Sequence, residues 1–317
     1  MSRYLPSFLR QKPKPLDQDT YGYNVHQYKV RFSLAGPVSA GKSSLAAAIV
    51  VAAQTMSSQV KEFYCRVLPK SSHILTDASN LRVGRFPEKT DPYLPVAPEA
   101  GLLIGERYGK RTLQIPICDV GGEVMDALAV QNPTPAQFQR LGNINRMVID
   151  HIRDSQGFIL TLPATDALMF RRDYRRSETD SYLYTVLSQV MDHKLYSRTK
   201  IDGVAVWITK WDAAMSEAKR IGMDIYDDPK SILRFMDNGF PALSMLLKPL
   251  NDAGKVKYFR SYFTIKKRDD GITDDTWPDG GKKIEVTDDP ANYIRYKPKF
   301  AEQDCVNFIR WAGTFAK

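Results

Sequence analysis

The stretch GPVSAGKS, residues 36–43, decides the fold that this chain of 317 residues is expected to adopt. It fits the pattern G-x-x-x-x-G-K-[ST] without a gap. A tight loop at a helix N-terminus turns several backbone N–H groups toward a dense anion such as a triphosphate. In such a loop Gly41 permits close approach of the backbone, Lys42 reaches the β- and γ-phosphates, and the Ser43 hydroxyl binds Mg²⁺. The stretch therefore predicts a phosphate-binding loop.

The sequence on both sides of this loop supplies the strand and the helix that such a loop requires. Residues 28–35, YKVRFSLA, alternate polar and apolar side chains like a strand. Residues 44–53, SLAAAIVVAA, form an apolar, alanine-rich pattern typical of a helix. A chance glycine turn is the alternative interpretation, and the strand–loop–helix order argues against it.

A second motif, DVGGE at residues 119–123, follows an apolar strand. Residues 102–108 and 112–118 predict an antiparallel hairpin that leads into it. A carboxylate at Asp119 can hold Mg²⁺ directly or through water. Gly122 would let a backbone N–H approach a γ-phosphate, whose loss would release the loop. The pattern D-x-x-G is common at strand ends, and its position after a phosphate-binding loop is what gives it meaning.

A third motif, TKWD at residues 209–212, follows the apolar strand pattern of residues 204–208. A carboxylate at Asp212 can accept hydrogen bonds from N1–H and the 2-amino group of guanine, a pair of donors that adenine lacks. The aliphatic stem of Lys210 can cover the plane of the base. The motif therefore favours a guanine nucleotide over an adenine nucleotide.

In this order, GPVSAGKS, DVGGE and TKWD resemble the motifs of the Ras-like, TRAFAC-class GTPases, whose last motif is usually Asn-Lys-x-Asp. Threonine in place of that asparagine is a known variation in the class. Residues 84–90, GRFPEKT, are similar to the Gly-x-aromatic-Pro-x-x-Thr segment of a prokaryotic subgroup, the double-GTPase-like proteins. The resemblance covers about residues 28–265 and the C-terminal helix. It implies a P-loop NTPase three-layer α/β sandwich, with a mainly parallel sheet, one antiparallel strand and helices on both faces.

The resemblance also implies a set of site residues around GTP or GDP and Mg²⁺. The residues expected to bind the nucleotide are Gly36, Ser39, Ala40, Gly41, Lys42, Ser43, Ser44, Gly122, Thr209, Lys210, Asp212 and Ser261. The residues expected to bind the metal are Ser43, Thr90 and Asp119. The residues expected to act in catalysis are Lys42, Glu123 and Thr90. Ser261 is included because the guanine-closing loop should follow the last strand, although Ser261-Tyr-Phe matches the usual Ser-Ala-Lys poorly.

The identity of the switch-one threonine stays open at this point. The resemblance implies that Thr90 closes on Mg²⁺ and the γ-phosphate when GTP is bound. The alternative is a surface proline turn with an incidental threonine, and Thr76 is a rival for the same role.

Glu123 stands where many members of the family have a water-orienting glutamine. Its negative charge beside a γ-phosphate is unfavourable unless a cation compensates it. We therefore expect slow intrinsic hydrolysis that a partner, or an arginine supplied in trans, accelerates. Arg85 and the arginines at 171–176 are in-chain alternatives, although solvated surface arginines would have the same pattern.

The expected function is a GTP-binding molecular switch that hydrolyses GTP slowly and acts on a protein effector or activator. Two alternatives remain: a nucleotide-binding interaction module with little hydrolysis, and a P-loop ATPase or kinase. The net charge of +9 allows an acidic partner such as nucleic acid or a membrane surface, but the scattered positive charges do not indicate one. No apolar run approaches the roughly 20 residues of a transmembrane segment, and no signal sequence is present, so a cytoplasmic location is expected.

The remaining sequence predicts one large domain with an N-terminal arm at residues 1–27. The GTPase-like domain would span 28–317, with insertions near 57–100 and 266–295. The three cysteines and four histidines lack the spacing of a metal site or a disulfide framework. The other predicted elements are helices at 138–152, 181–193, 231–250 (one helix or a pair) and 300–315, and strands at 157–162 and 256–263.

Overall fold

The computed structural model describes the chain at the following residues: 26–29, 32–37, 40–59, 63–67, 72–82, 87, 101–106, 111–119, 155–168, 175–196, 201–211, 214, 229–261, 263–267, 296–300 and 302–316.

Strands and helices alternate along these residues. The strands are β1 His26–Lys29, β2 Phe32–Ala35, β3 Phe63–Val67, β4 Gly101–Glu106, β5 Arg111–Asp119, β6 Gly157–Pro163, β7 Gly203–Thr209, β8 Val256–Arg260, β9 Phe263–Lys267 and β10 Tyr296–Phe300. The helices are α1 Lys42–Gln59, α2 Ser72–Arg82, α3 Ala164–Leu168, α4 Arg175–Tyr196, α5 Pro229–Gly239, α6 Pro241–Asp252 and α7 Glu302–Gly313. A 3₁₀ turn at Thr314–Ala316 follows α7.

One sheet carries most of these strands, in the order β3-β4-β5-β2-β6-β7-β8. Strands β2, β6, β7 and β8 are all parallel to their neighbours. On the other side of β2 lies β5, also parallel to it, while β4 runs antiparallel to both β3 and β5. β1 and β2 pair with β5 in a common register, with His26 opposite Arg111 and Phe32 opposite Ile117. The strand predicted at 28–35 therefore corresponds to two described strands, β1 and β2, and β1 begins earlier, at His26.

Alternate side chains of the parallel strands enter two separate cores, which gives the molecule an α/β architecture with helices on both faces of the sheet. On one face Phe32, Leu34 and Trp207 pack with residues of α1, α2 and α7. On the other face residues such as Leu160 and Val206 pack with α3, α4, α5 and α6. β6 and β7 are buried along their whole lengths, as parallel strands covered on both sides must be. The strands predicted at 157–162 and 204–208 are confirmed.

The C-terminal helix is held to the sheet by an aromatic cluster. The ring of Phe308 on α7 lies 5.8 Å, between ring centroids, from each of the rings of Phe32, Trp207 and Phe259. Edge-on ring pairs of this kind contribute about 0.5–1.5 kcal/mol each beyond the burial of their surface. The predicted C-terminal helix is confirmed, and it packs across β2, β7 and β8.

The stretch at 231–250, predicted as one helix or a pair, is a pair. Helix α5 ends at Gly239, and α6 begins at Pro241, a residue that suits the first position of a helix because it lacks an N–H. Phe240 between them cannot cap α6 with its side chain. Asp180 of α4 does so instead, since its carboxylate accepts from the N–H groups of Ala242 and Leu243, both at 2.9 Å.

The prediction of a single strand over 256–263 is wrong beyond Arg260. The N–H of Ser261 donates to Ile208 O at 2.9 Å, and its carbonyl accepts from the N–H of Trp211 at 3.1 Å, so the chain leaves the ladder there. β9 then begins at Phe263 and pairs antiparallel with β10 in a separate sheet. Lys266 and Lys267, which the sequence placed in a loop, therefore belong to β9.

Other predicted segments fall partly or wholly outside the described residues. The predicted insertion at 57–100 carries β3 and α2. The arm predicted at 1–27 is described only at His26 and Gln27, which belong to β1 and so correct the end of the arm. The predicted helix at 138–152 and residues 268–295 of the predicted loop lie outside the described residues. Within the described part of the chain, none of the helices is long and apolar enough to cross a membrane.

Candidate functional site

The loop of residues 36–41 lies at the carboxyl end of β2, a central strand of the sheet, and leads directly into α1. The consecutive strands β5 and β6 lie on opposite sides of β2 in the sheet. In open α/β sheets, the crevice at such a reversal of strand order is where ligands bind. The predicted phosphate-binding loop is thus situated where the topology leaves a crevice.

Gly36 lets the loop start close against β6. A Cβ at Gly36 would collide with Oγ1 of Thr161 and would lie 2.8 Å from the Thr161 carbonyl oxygen. The Thr161 hydroxyl in turn donates to Ala35 O at 3.1 Å and so ties β6 to the end of β2. The sequence analysis missed Thr161. The available signal was one hydroxyl in the apolar run of residues 157–163, at a side chain that proves to be 0% exposed.

Gly41 turns the chain from the loop into α1. Its φ of +80° lies in the left-handed region, which glycine adopts without the penalty that a side chain brings. The loop closes on itself through Ala40 N–H to Pro37 O at 3.2 Å, and the helix starts with Leu45 N–H to Gly41 O at 2.9 Å. The N–H groups of a first helical turn have no acceptor within the helix, and they carry its positive dipole end.

Lys42 holds its ammonium group against the loop. Its side chain is only 7% exposed, and Nζ donates to Gly36 O and Pro37 O, both at 2.9 Å. These carbonyl dipoles offset the cost of burying the charge. A phosphate oxygen would compete well for the same ammonium, because hydrogen bonds between two charged groups are the stronger kind.

Thr209, at the carboxyl end of β7, lies near this loop. A Cβ built on Gly41 would lie 3.9 Å from Cβ of Thr209. The Thr209 hydroxyl donates to Leu162 O at 3.2 Å, which fixes the residue against β6. The first residue of the TKWD motif is therefore beside the end of the loop, although the two motifs are far apart in the sequence.

Lys210 turns the chain sharply after Thr209. Its φ of +55° is left-handed, a conformation that costs a non-glycine residue about 1–2 kcal/mol. Lys210 is exposed, whereas the next residue, Trp211, is 2% exposed and packs on Phe235 with ring centroids 5.4 Å apart. Backbone strain of this kind is concentrated at binding sites. The turn directs Lys210 outward at the crevice and anchors Trp211 in the core.

Ser261 joins the same edge of the sheet. Its two backbone hydrogen bonds connect it to Ile208 at the end of β7 and to Trp211 in the turn. The stretch that matched the expected guanine-closing loop poorly is thus adjacent to the TKWD turn. The contact is made by backbone atoms, so side-chain patterns could not reveal it.

The other predicted site residues are described in part or lie outside the described residues. Ser43 and Ser44 are in the first turn of α1. Asp119 ends β5 and pairs with Leu34, just before the loop; its side chain is outside the described part. So are Ser39, Thr90, Gly122, Glu123 and Asp212. The rival Thr76 is exposed on α2, where its hydroxyl donates to Ser72 O at 3.0 Å within the helix.

Together the described residues offer a loop of backbone amides, a buried ammonium group and a strained turn around one crevice. These features fit an anionic ligand at the loop. Over the described residues, no group of three or more His, Cys, Asp or Glu side chains is placed to hold a metal ion. The Ser43 hydroxyl, together with phosphate oxygens of a ligand, would be a donor set of another kind, which suits Mg²⁺.

No protein-family model matches this chain, and no curated protein has significant similarity to it in sequence.

Proposed function

We propose that this chain is a P-loop protein that binds GTP or GDP with Mg²⁺ and hydrolyses GTP slowly, as a molecular switch. The proposal depends most on one observation, the proximity of Thr209 to Gly41, since a Cβ at Gly41 would lie 3.9 Å from Cβ of Thr209 and the two motifs therefore lie side by side. We extend the proposal to the fold, as a P-loop NTPase sandwich with one antiparallel strand. The pairing of β4, antiparallel to β3 and β5, supports that extension.

The phosphate end of the site would be formed by the loop and Lys42. The ammonium group is already at the loop, at 2.9 Å from each of two carbonyl oxygens. The backbone N–H groups at the start of α1 would add a favourable dipole. Both contributions concern the anion alone and do not discriminate between bases.

The base end would be formed by the turn after β7. The hydroxyl bond to Leu162 holds Thr209 in place. Lys210 has a left-handed φ, and Trp211 is held by burial in the core. This rigid turn supports a specific role for Asp212, the next residue, in accepting from the two donors of guanine. The proximity of Ser261 supports its assignment to the same end.

The metal would be held by Ser43 and Asp119, with Thr90 closing on it in the triphosphate state. When bound, Mg²⁺ supplies positive charge that neutralises the β- and γ-phosphates. The backbone pairing of Asp119 with Leu34 supports its place in this set, because it brings the end of β5 beside the start of the loop.

Hydrolysis is proposed to be slow because Glu123 follows Gly122. A carboxylate there could accept a hydrogen bond from water but would repel the γ-phosphate. The same residue favours the alternative of a nucleotide-binding interaction module with little turnover. For either function we propose a cytoplasmic location and a protein partner that reads the nucleotide state.

Single-turnover GTP hydrolysis by the wild type and by Lys42→Ala tests this proposal. We expect a slow but measurable rate of hydrolysis in the wild type. In the variant the rate should fall about a hundredfold or more, because the variant lacks the ammonium group that meets the developing phosphate charge. Lys255→Ala is a matched control, since Lys255 Nζ also donates to a backbone carbonyl, Ile201 O at 2.7 Å, but at the opposite end of the sheet.

The control should hydrolyse GTP at the wild-type rate. A rate that Lys42→Ala leaves unchanged would exclude the loop from catalysis. Tight GTP binding without any hydrolysis would favour the interaction module over the slow GTPase.

A further inference from the structure

The carboxylate of Asp304 on helix α7 bonds to Arg260 at the end of β8. Oδ2 of Asp304 accepts from the backbone N–H of Arg260 at 2.8 Å and from Arg260 Nε at 3.1 Å. The two side chains are 12% and 24% exposed, respectively, so solvent screens this pair less than it screens a surface ion pair. A backbone bond and an ionic bond to one residue fix both its main chain and its side chain.

The residue fixed in this way is next to Ser261, which contacts the TKWD turn. Ser261 donates to Ile208 O and accepts from the N–H of Trp211. Asp304 is therefore linked to the turn by its hydrogen bonds to Arg260, by the peptide bond from Arg260 to Ser261, and by the hydrogen bonds of Ser261. Helix α7 belongs to the core that also contains residues of α1 and α2. There Phe308 packs on the sheet, and this core sets the position of the helix.

We propose that Asp304 is a positioning residue for the base end of the nucleotide site, so that the C-terminal helix sets the preference for guanine. The inference rests on the proposed function. Asp304 holds the end of β8, and the end of β8 holds Ser261 at a fixed distance from the turn that carries Lys210. Releasing Arg260 would loosen Ser261 and the turn while leaving the loop at 36–41 in place, because that loop is tied to β6 through Ala35 and Thr161.

Amide hydrogen exchange on the full chain without nucleotide tests the positioning role directly. In Asp304→Ala we expect the amides of Ser261 and Trp211 to exchange about tenfold faster, as the loss of a bond to a charged group implies. The amide of Asp202, which donates to Gln156 O at 2.8 Å at the amino end of the sheet, should keep its rate. In Asp304→Asn the exchange rates of Ser261 and Trp211 should lie between those of the wild type and Asp304→Ala, because the amide oxygen can still accept from the Arg260 N–H.

Glu302→Gln is the matched control, since it removes one carboxylate from the same first turn of α7. It should leave the exchange of Ser261 and Trp211 unchanged. In binding measurements with Mg²⁺, Asp304→Ala should lower the affinity for GTP about tenfold. It should leave the affinity for ATP unaltered, because the phosphate end of the site is intact.

Unchanged exchange at Ser261 and Trp211 in Asp304→Ala would overturn the inference. Equal acceleration at Asp202 would also overturn it, since Asp304 would then support the fold in general. A uniform loss of GTP and ATP affinity would do the same. Equal affinity of the wild type for ATP and GTP would overturn the proposed function, while the exchange rates would still support or overturn the positioning role.

Discussion

At the scale of single residues, the site is built from conformations that few residue types can adopt. Gly41 has a left-handed φ beside Thr209, and Gly36 lies where a Cβ would strike Thr161. Lys210 adopts a left-handed φ in spite of its side chain. Gly36 permits close contact of the loop with β6, and Gly41 adopts its left-handed φ without steric cost. Lys210 carries strain that its surroundings must hold.

Tyr258 on β8 gives the fold a dependence on alkaline pH. Burial raises the pKa of its hydroxyl to about 12, and the negative charge of Asp237 adds to the effect. The folded chain therefore keeps this proton between pH 10 and 12, while the unfolded chain loses it. The stabilisation is complete below pH 10 and is lost as the pH rises toward 12. Because the side chain is partly exposed, we expect it to amount to about 1 kcal/mol, less than the full shift implies.

Urea unfolding at pH 9 and pH 11.5 measures this contribution. The loss of unfolding free energy between the two pH values should be smaller by about 1 kcal/mol in Tyr258→Phe than in the wild type. Tyr184→Phe, at an exposed tyrosine, should lose as much unfolding free energy between the two pH values as the wild type. The same loss in all three proteins would contradict the assignment to Tyr258.

At the scale of elements, local sequence patterns predicted those strands and helices whose environment is uniform. The apolar run of β7 is buried over its whole length, so its pattern was sufficient. The end of β8 was not predictable from side-chain patterns. The strand ends because backbone atoms of Ser261 bond to Ile208 and Trp211, and these bonds do not depend on the side chains. Asp304 was missed for a similar reason, since its partner Arg260 is distant in sequence.

The start of helix α6 depends on a cap supplied by another helix. Asp180 accepts from two N–H groups of its first turn, while the residue at its own N-cap position, Phe240, makes no such bond. In Asp180→Ala both donors lose a charged acceptor, and we expect the unfolding free energy to fall by about 2–3 kcal/mol. Chemical unfolding followed by circular dichroism gives this value.

Asp202→Ala, at an exposed aspartate, should change the unfolding free energy by less than about 0.5 kcal/mol. Asp180→Asn should lose less than Asp180→Ala, because its amide oxygen can still accept one of the two bonds. A stability of Asp180→Ala equal to that of the wild type would show that water replaces the carboxylate at the cap.

At the scale of the whole molecule, the parallel strands bring distant motifs to one edge of the sheet. The ends of β2, β7 and β8 carry the loop, the TKWD turn and Ser261. Sequence order predicted these motifs but could not establish that they lie close together, because their proximity depends on strand order. The order β2-β6-β7-β8 and the parallel pairings bring all three together. The roles of Thr90, Glu123 and Asp212 remain predictions from the sequence.

Isothermal titration of GTP, GDP, ATP and ADP, each with Mg²⁺, into the wild type and Asp212→Asn tests the proposed guanine-nucleotide site most directly. We predict that the wild type binds GTP and GDP at least about a hundredfold more tightly than ATP and ADP, because only guanine offers two donors to the carboxylate. In Asp212→Asn this preference should disappear while the affinity for ATP is retained. Equal affinity of the wild type for GTP and ATP would contradict a guanine-specific site.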